Sequence, residues 1–444
     1  MTKRSRTIIF LVCFFLFILI APSAVLYSQG YRFDLENKKF TQTGGLFLKV
    51  VPRQVDVYID GKLNKRTDFF FGSALVENLL PKKYKIEVKK EKYHSWEKTL
   101  EIKEKGVTEV KNIVLFPQDV NFNVLSSPVE QFWFSPDQRK IILLEEDKSS
   151  SPPSSSKQDS VKEKEKLSWA LKLYDLDKNI KSYLISGEDF FTKEPQLINL
   201  DFSEDSKKIY LEVSTGEEIK YFILEGFDRA KPLLTERESP SPLVENVVVY
   251  QQVGNALYYL DNSGHLFKNG ERITATPFPI KQETEYALEI FQGFIFLRED
   301  NNLYKFNPDL KVFENFFERI NSLKVSPDNK KLAYFSDYEI WILFLSDKNE
   351  PPQERTGEKL FLIRLSERIT DVFWINDNYL TFIAGDKIKI SEIDDRDRLN
   401  IIDVFETKKL SQNESPVEMF WNQFDKKLYL LNGEILHRSG ALLP

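Results

Sequence analysis

The side chains most able to do chemistry are sparse in this chain. Only three histidines occur in its 444 residues, His94, His265 and His437. None has a second metal-type ligand at helical or strand spacing, so the sequence predicts neither a zinc site nor a triad, and no metal or other cofactor. A G-x-S-x-G elbow is absent, and Ser73 and Ser439 lack its flanking glycines. Asp175-x-Asp177-x-Asn179 opens like a calcium loop, but Ile180 stands where the loop needs glycine and Gly187 where it needs glutamate. Asp394-Asp395-Arg396-Asp397-Arg398 reads as a charged solvated turn whose arginines neutralise its acids. No glycine-rich phosphate loop is present. The densest basic run, Lys82, Lys83, Lys85, Lys89, Lys90 and Lys92, reads as lysines near a sheet edge, and its functional alternative is contact with anionic headgroups or wall polymers. Paired glycosidase carboxylates are set by spatial rather than sequence spacing, so acids meeting in a central channel stay open as an alternative.

The elements that position these residues begin with an apolar segment. No charge lies between Arg6 and Arg32, and residues 7–27 are long and apolar enough to span a bilayer as a helix. Lys3, Arg4 and Arg6 precede it, which predicts a cytoplasmic tail at 1–6, a signal anchor at 7–27 and everything later outside the cell membrane. A cleaved signal peptide is the rival, because Ile8 to Ile20 has the length of an h-region and Ala21-Pro22-Ser23 loosely resembles a cleavage site. Pro22 and the continuation through Val25, Leu26 and Tyr27 favour the anchor. Cys13, the single cysteine, lies in this segment, so no disulfide is expected outside it.

The rest predicts an all-β exterior, with 36 Phe and 18 Tyr and short apolar runs broken by turns. Residues 44–117 carry 15 Lys and Arg against 10 Asp and Glu, and residues 118–444 carry 41 against 56. The balances are +5 and -15, and the acidic distal part argues against a nucleic-acid partner.

Residues 28–43 read as a hairpin and linker. Period-2 runs follow at Gly45–Pro52 and Val55–Lys62, with a turn at Asp60-Gly61, then Leu79–Val88, Tyr93–Trp96, Lys98–Ile102 and Thr108–Leu115. The strand ending in Pro52, the run Val55–Lys62, Leu80-Pro81-x-x-Tyr84, Tyr93 and Trp96 together resemble the PEGA domain, a small β-sandwich of prokaryotic surface proteins. Lys83 and Lys92 stand where that family usually has glycine. The resemblance implies an envelope-associated, noncatalytic module at 44–117.

Residues 118–444 repeat a phrase: Phe134-Ser135-Pro136-Asp137-Gln138 to Ile142, Phe202-Ser203-Glu204-Asp205-Ser206 to Tyr210 and Val325-Ser326-Pro327-Asp328-Asn329 to Tyr334, with weaker copies at Trp374 and Trp421. The period near 40 to 50 residues predicts a β-propeller, seven blades favoured and six the alternative. The phrase resembles the repeat of TolB-type, WD40-like propellers, with Gln138 and Asn329 replacing its glycine. Asn121 to Leu125 is expected to supply the outer strand of the last unit, and 149–166 to be a disordered insert. The function expected is noncatalytic binding or scaffolding in the cell envelope, the propeller face meeting protein or glycan. The alternatives are an enzyme acting on a wall polymer, or a sensor relaying through a membrane partner.

Overall fold

The computed structural model describes residues 3–35, 38–147, 168–190, 195–216, 218–227, 232–238, 246–409 and 417–443; the insert expected at 149–166 lies outside them. Helix α1 (Lys3–Ser28) is exposed, and its Ile8–Ser28 part is long and apolar enough to cross a membrane. Strands β1 (Tyr31–Asp34) and β2 (Lys39–Gln42) pair as the expected hairpin.

Seven strands follow: β3 (Gly44–Val51), β4 (Asp56–Ile59), β5 (Lys62–Arg66), β6 (Ser73–Leu79), β7 (Lys83–Lys89), β8 (Trp96–Glu101) and β9 (Val107–Val114). They form two sheets, ordered β6-β3-β9 and β5-β4-β7-β8, around one core that includes Leu46, Leu48, Val57, Ile86, Trp96 and Ile113. The alternating burial of β3 puts Leu46, Leu48 and Val50 in this core, and that of β8 adds Trp96 and Leu100. Asp60 and Gly61 take the positive φ values, 47° and 76°, that the tight β4–β5 turn requires. One expectation is corrected: three of the six lysines, Lys83, Lys85 and Lys89, lie in β7, which has a partner strand on each side and is not an edge, and the other three lie just beyond its ends.

The remaining described strands form seven four-stranded antiparallel sheets. Their first strands are Gln131–Phe134, Gln196–Phe202, Val247–Val253, Tyr286–Phe291, Ser322–Val325, Ile369–Asn376 and Val417–Asn422. The seventh sheet takes its outermost strand, β10 (Phe122–Ser126), from the start of the region, paired with Ile435–Ser439 as the sequence predicts. First strands of neighbouring sheets touch, at the third and fourth, fifth and sixth, and sixth and seventh sheets. Apolar clusters join the first sheet to the second, the third to the fourth, and each following pair through the seventh. A further cluster, with Leu143, Tyr429 and Leu436, joins the seventh sheet back to the first. Sheets packed face to face at every junction but the second to third, with the last meeting the first, have the arrangement of a β-propeller.

The repeated phrase acts locally and between sheets. Ser135, Ser203 and Ser326 each donate their hydroxyl to the aspartate two residues on, at 2.6, 2.6 and 2.5 Å, and each accepts the amide five residues on. The next position, Gln138, Ser206 or Asn329, takes φ of 56 to 58°, the backbone that glycine supplies in the family pattern. These turns also bind neighbours. The Asp137 amide donates to Ser206, the Asp328 amide to Asp377, and Asn422 Nδ2 to the Gln138 carbonyl.

Candidate functional site: the axial cavity and the docking seam

A cavity of about 650 Å³ opens where the first strands of the sixth, seventh, first and second sheets converge. Its walls include Phe132, Trp133, Asp201, Asp371, Glu418 and Phe420. Aromatic order holds one side: Phe134 stacks on Phe420 at 4.1 Å, and Phe373 meets Phe420 edge-on at 5.4 Å.

Charged residues on the axial strands have shifted proton affinities. Burial raises the Asp371 carboxyl above its ordinary value, against the pull of the Met419 amide, which it accepts at 3.0 Å, and of Lys324. Glu418 is raised by burial and then by the charge of Asp371. Glu289 is raised by burial, with Arg298 and Lys324 opposing. Lys324 is lowered by burial, with Asp371 and Glu289 opposing, and its ammonium stands 5.0 Å from the Phe373 ring. The axis is therefore lined by acids on both sides of one lysine, in surroundings poorer in water than the outer surface. The sequence signal that marks them is a lone charge within the first, mostly apolar strand of a repeat unit: Glu289, Lys324, Asp371 and Glu418 all have it.

The second constellation lies between the small two-sheet unit and the propeller. Lys98 of β8 is fully buried, its ammonium 2.8 Å from Glu392 and donating to the carbonyls of Asp394, Arg396 and Arg398 at 2.7, 2.8 and 2.6 Å. Glu392 also accepts from Trp96 Nε1 at 2.9 Å and from the Asn400 amide at 3.0 Å. Tyr379 accepts the Val114 amide at 3.1 Å and packs edge-on against Phe116. The 394–398 turn keeps Asp395, Asp397 and Arg398 in solvent, as expected of a charged turn, but its backbone does more. Its carbonyls turn inward to cage a lysine, and Arg396 pairs with Asp394 and reaches the Glu109 carbonyl.

The other sequence candidates are dispersed. His94 sits at the docking seam, lowered by burial; His437 lies in the seventh sheet, also lowered by burial; His265 shares a 3.1 Å hydrogen bond with Thr274 in the third. Asp175 caps its own turn through the Lys178 amide, and Asp177 pairs with Arg139. Of the lysine run, Lys85 and Lys89 are engaged by Glu87, and Lys85 by Glu97 as well. Hydrogen bonds from these two lysines hold the Glu87 carboxyl down to about 2. Among the described residues no group of three or more His, Cys, Asp or Glu is placed to hold a metal ion.

These features define a class: a β-propeller docked on a small β unit that follows an N-terminal apolar helix. No known family profile matches the sequence, and no curated protein matches it. Solved structures similar to it include YCF48 from Cyanidioschyzon merolae, with TM-score 0.41, 10% identity, and coverage of 71% of this chain and 98% of that one. Virginiamycin B lyase from Staphylococcus aureus gives 0.38, 10%, 72% and 98%, and the Dos1 propeller 0.37, 12%, 73% and 97%. The strand pairing of this chain defines its architecture.

Proposed function

We propose that this is a membrane-tethered, noncatalytic binding protein of the cell envelope. In this reading α1 is an uncleaved anchor with its N-terminus in the cytoplasm, residues 44–117 are a PEGA-like sandwich, and the seven sheets are the blades of a seven-bladed propeller. The observation that carries it is the axial cavity, whose aromatic wall and carboxylates suit an extended ligand bearing positive charge, a basic protein segment before a glycan. The acidic balance of residues 118–444 supports the same sign of ligand. The test is co-sedimentation of the full chain, in nanodiscs, with envelope material of its own cell, comparing wild type with Asp371→Asn/Glu418→Gln. Pelleting that drops about tenfold in the double variant supports the reading; equal pelleting overturns it.

A second reading has one observation in its favour. Asp371 and Glu418 face one cavity and are both raised by burial, so one of them could stay protonated as the general acid that cleavage of a wall polymer needs. It requires turnover of envelope polymer by wild type that Asp371→Asn abolishes.

A further inference from the structure

The loop between β5 and β6 carries three consecutive phenylalanines, Phe69, Phe70 and Phe71, that are 62, 71 and 73% exposed. A loose loop would hide such side chains; this one is built to present them. One oxygen of Asp68 accepts the amides of Phe70 and Phe71 at 2.9 and 2.6 Å, and the other accepts the Ser73 amide and hydroxyl at 2.7 and 2.5 Å. Thr67 ties the first foot to Val55 through 3.0 and 2.9 Å hydrogen bonds. The second foot presses on β3: Gly72 has φ of +66°, and a Cβ there would lie 2.4 Å from the Val50 carbonyl. A finger so fixed surrenders little conformational entropy when its rings are buried.

Its surroundings are basic. Lys49 lies directly across from Ser73, Arg53 packs at Gly72, Lys65 donates to the Leu75 carbonyl, and Lys90 donates to the Arg53 carbonyl. None of these four has a carboxylate partner among the described residues. The finger's position excludes the propeller as its contact. The propeller docks along β8 and β9, whereas β5 and β6 are the opposite edges of the two sheets. Along that same edge, at the end of β6 away from the finger, Arg32, just past α1, bonds Asn78 at 2.8 Å. The β1–β2 hairpin there exposes Phe33 and Phe40, whose rings meet 5.3 Å apart.

We infer that the Phe69–Phe71 finger inserts into the interfacial region of the bilayer that α1 spans, with Lys49, Arg53, Lys65 and Lys90 on anionic phospholipid headgroups. Aromatic rings favour the headgroup level, and basic side chains beside them add attraction to anionic lipid. The small unit then stands on the membrane by two points, and the buried Lys98–Glu392 seam transmits that stance to the propeller. The inference rests on the anchor reading, and its test separates the two. The full chain, with Cys13→Ser and Phe70→Cys carrying an environment-sensitive dye, is placed in nanodiscs containing phosphatidylglycerol and a brominated lipid. A second sample carries the dye on native Cys13, and a third at Tyr338→Cys on the propeller.

The expected result is a blue-shifted dye at 70 with roughly threefold quenching, an unquenched dye at 338, and recovery of the signal at 70 when Lys49, Arg53, Lys65 and Lys90 are all replaced by glutamine. A water-like, unquenched dye at 70 alongside a quenched one at 13 overturns the inference and leaves the anchor standing, with the finger assigned to a protein partner. Unquenched dyes at both positions overturn the anchor reading as well.

Discussion

Replacing Lys98 by methionine keeps the length of the side chain and removes its charge at the docking seam. Lys98 is 0% and Glu392 5% exposed at the side chain, so the carboxylate left behind has no access to water. It keeps Trp96 Nε1 and Asn400, while the carbonyls of Asp394, Arg396 and Arg398 lose their donor. Removing one partner of a buried pair costs about 3 to 5 kcal/mol, because the other charge stays desolvated. For a cooperative unit of some 300 residues, at about 2.1 cal/mol/K per residue, a loss near 4 kcal/mol lowers the melting temperature by about 6 °C. Lys98→Met/Glu392→Gln should recover part of this loss, since a neutral amide tolerates the site better than an orphan carboxylate. Thermal unfolding gives the size of the effect, and hydrogen exchange at residues 394–400 shows where it falls. A Lys98→Met protein within about 1 kcal/mol of wild type, or a double variant worse than the single one, would refute the seam as described.

Glu145, 2% exposed, ties β10 to the first sheet: burial would raise its carboxyl, but Lys172, Lys181 and Ser126 outweigh this and hold it below the ordinary glutamate value. Its stabilising contribution is therefore present above the ordinary glutamate range and lost as pH falls through the lowered folded value; Glu145→Gln should flatten the acid limb of a stability–pH curve. Asp371 and Glu418 have the opposite sign, each raised in the folded state, so they oppose folding increasingly as pH climbs from the ordinary carboxylate range to their raised folded values. Asp371→Asn should raise the melting temperature at pH 7 and leave it unchanged at pH 4. Leu436, fully buried where the last sheet meets the first, should cost about 2 to 5 kcal/mol on truncation to alanine, read by urea unfolding. Gly264, at φ +84°, leaves a Cβ 1.9 Å from the Phe278 carbonyl, so Gly264→Ala should yield little folded protein, measured by soluble expression.

What the sequence discloses and what it withholds divide along contact range. The serine–aspartate turns recur because each satisfies its own backbone within five residues, so Ser135, Ser203 and Ser326 mark the sheet hairpins without any knowledge of the ring. The strand β10 was likewise legible, because a last unit with room for three strands needs an outer partner. The docking seam was not: Trp96 and Glu392 are 296 residues apart, and only folding shows that the 394–398 turn directs carbonyls at a lysine. Nor could the lysine run be placed, since its lysines alternate the same way on an inner strand as on an edge. The axial acids were half legible, each a lone charge in a unit's first strand, but their convergence on one cavity depends on ring closure.

The most direct test of the central claim, that the axial cavity is where this protein holds its ligand, is a photo-crosslinking amino acid placed at Phe132 in the full chain within living cells. A discrete crosslinked species is expected at Phe132, lost with Asp371→Asn/Glu418→Gln and absent with the same probe at the exposed Tyr338. A crosslink at Tyr338 with none at Phe132, or one at Phe132 indifferent to both carboxylates, would contradict it.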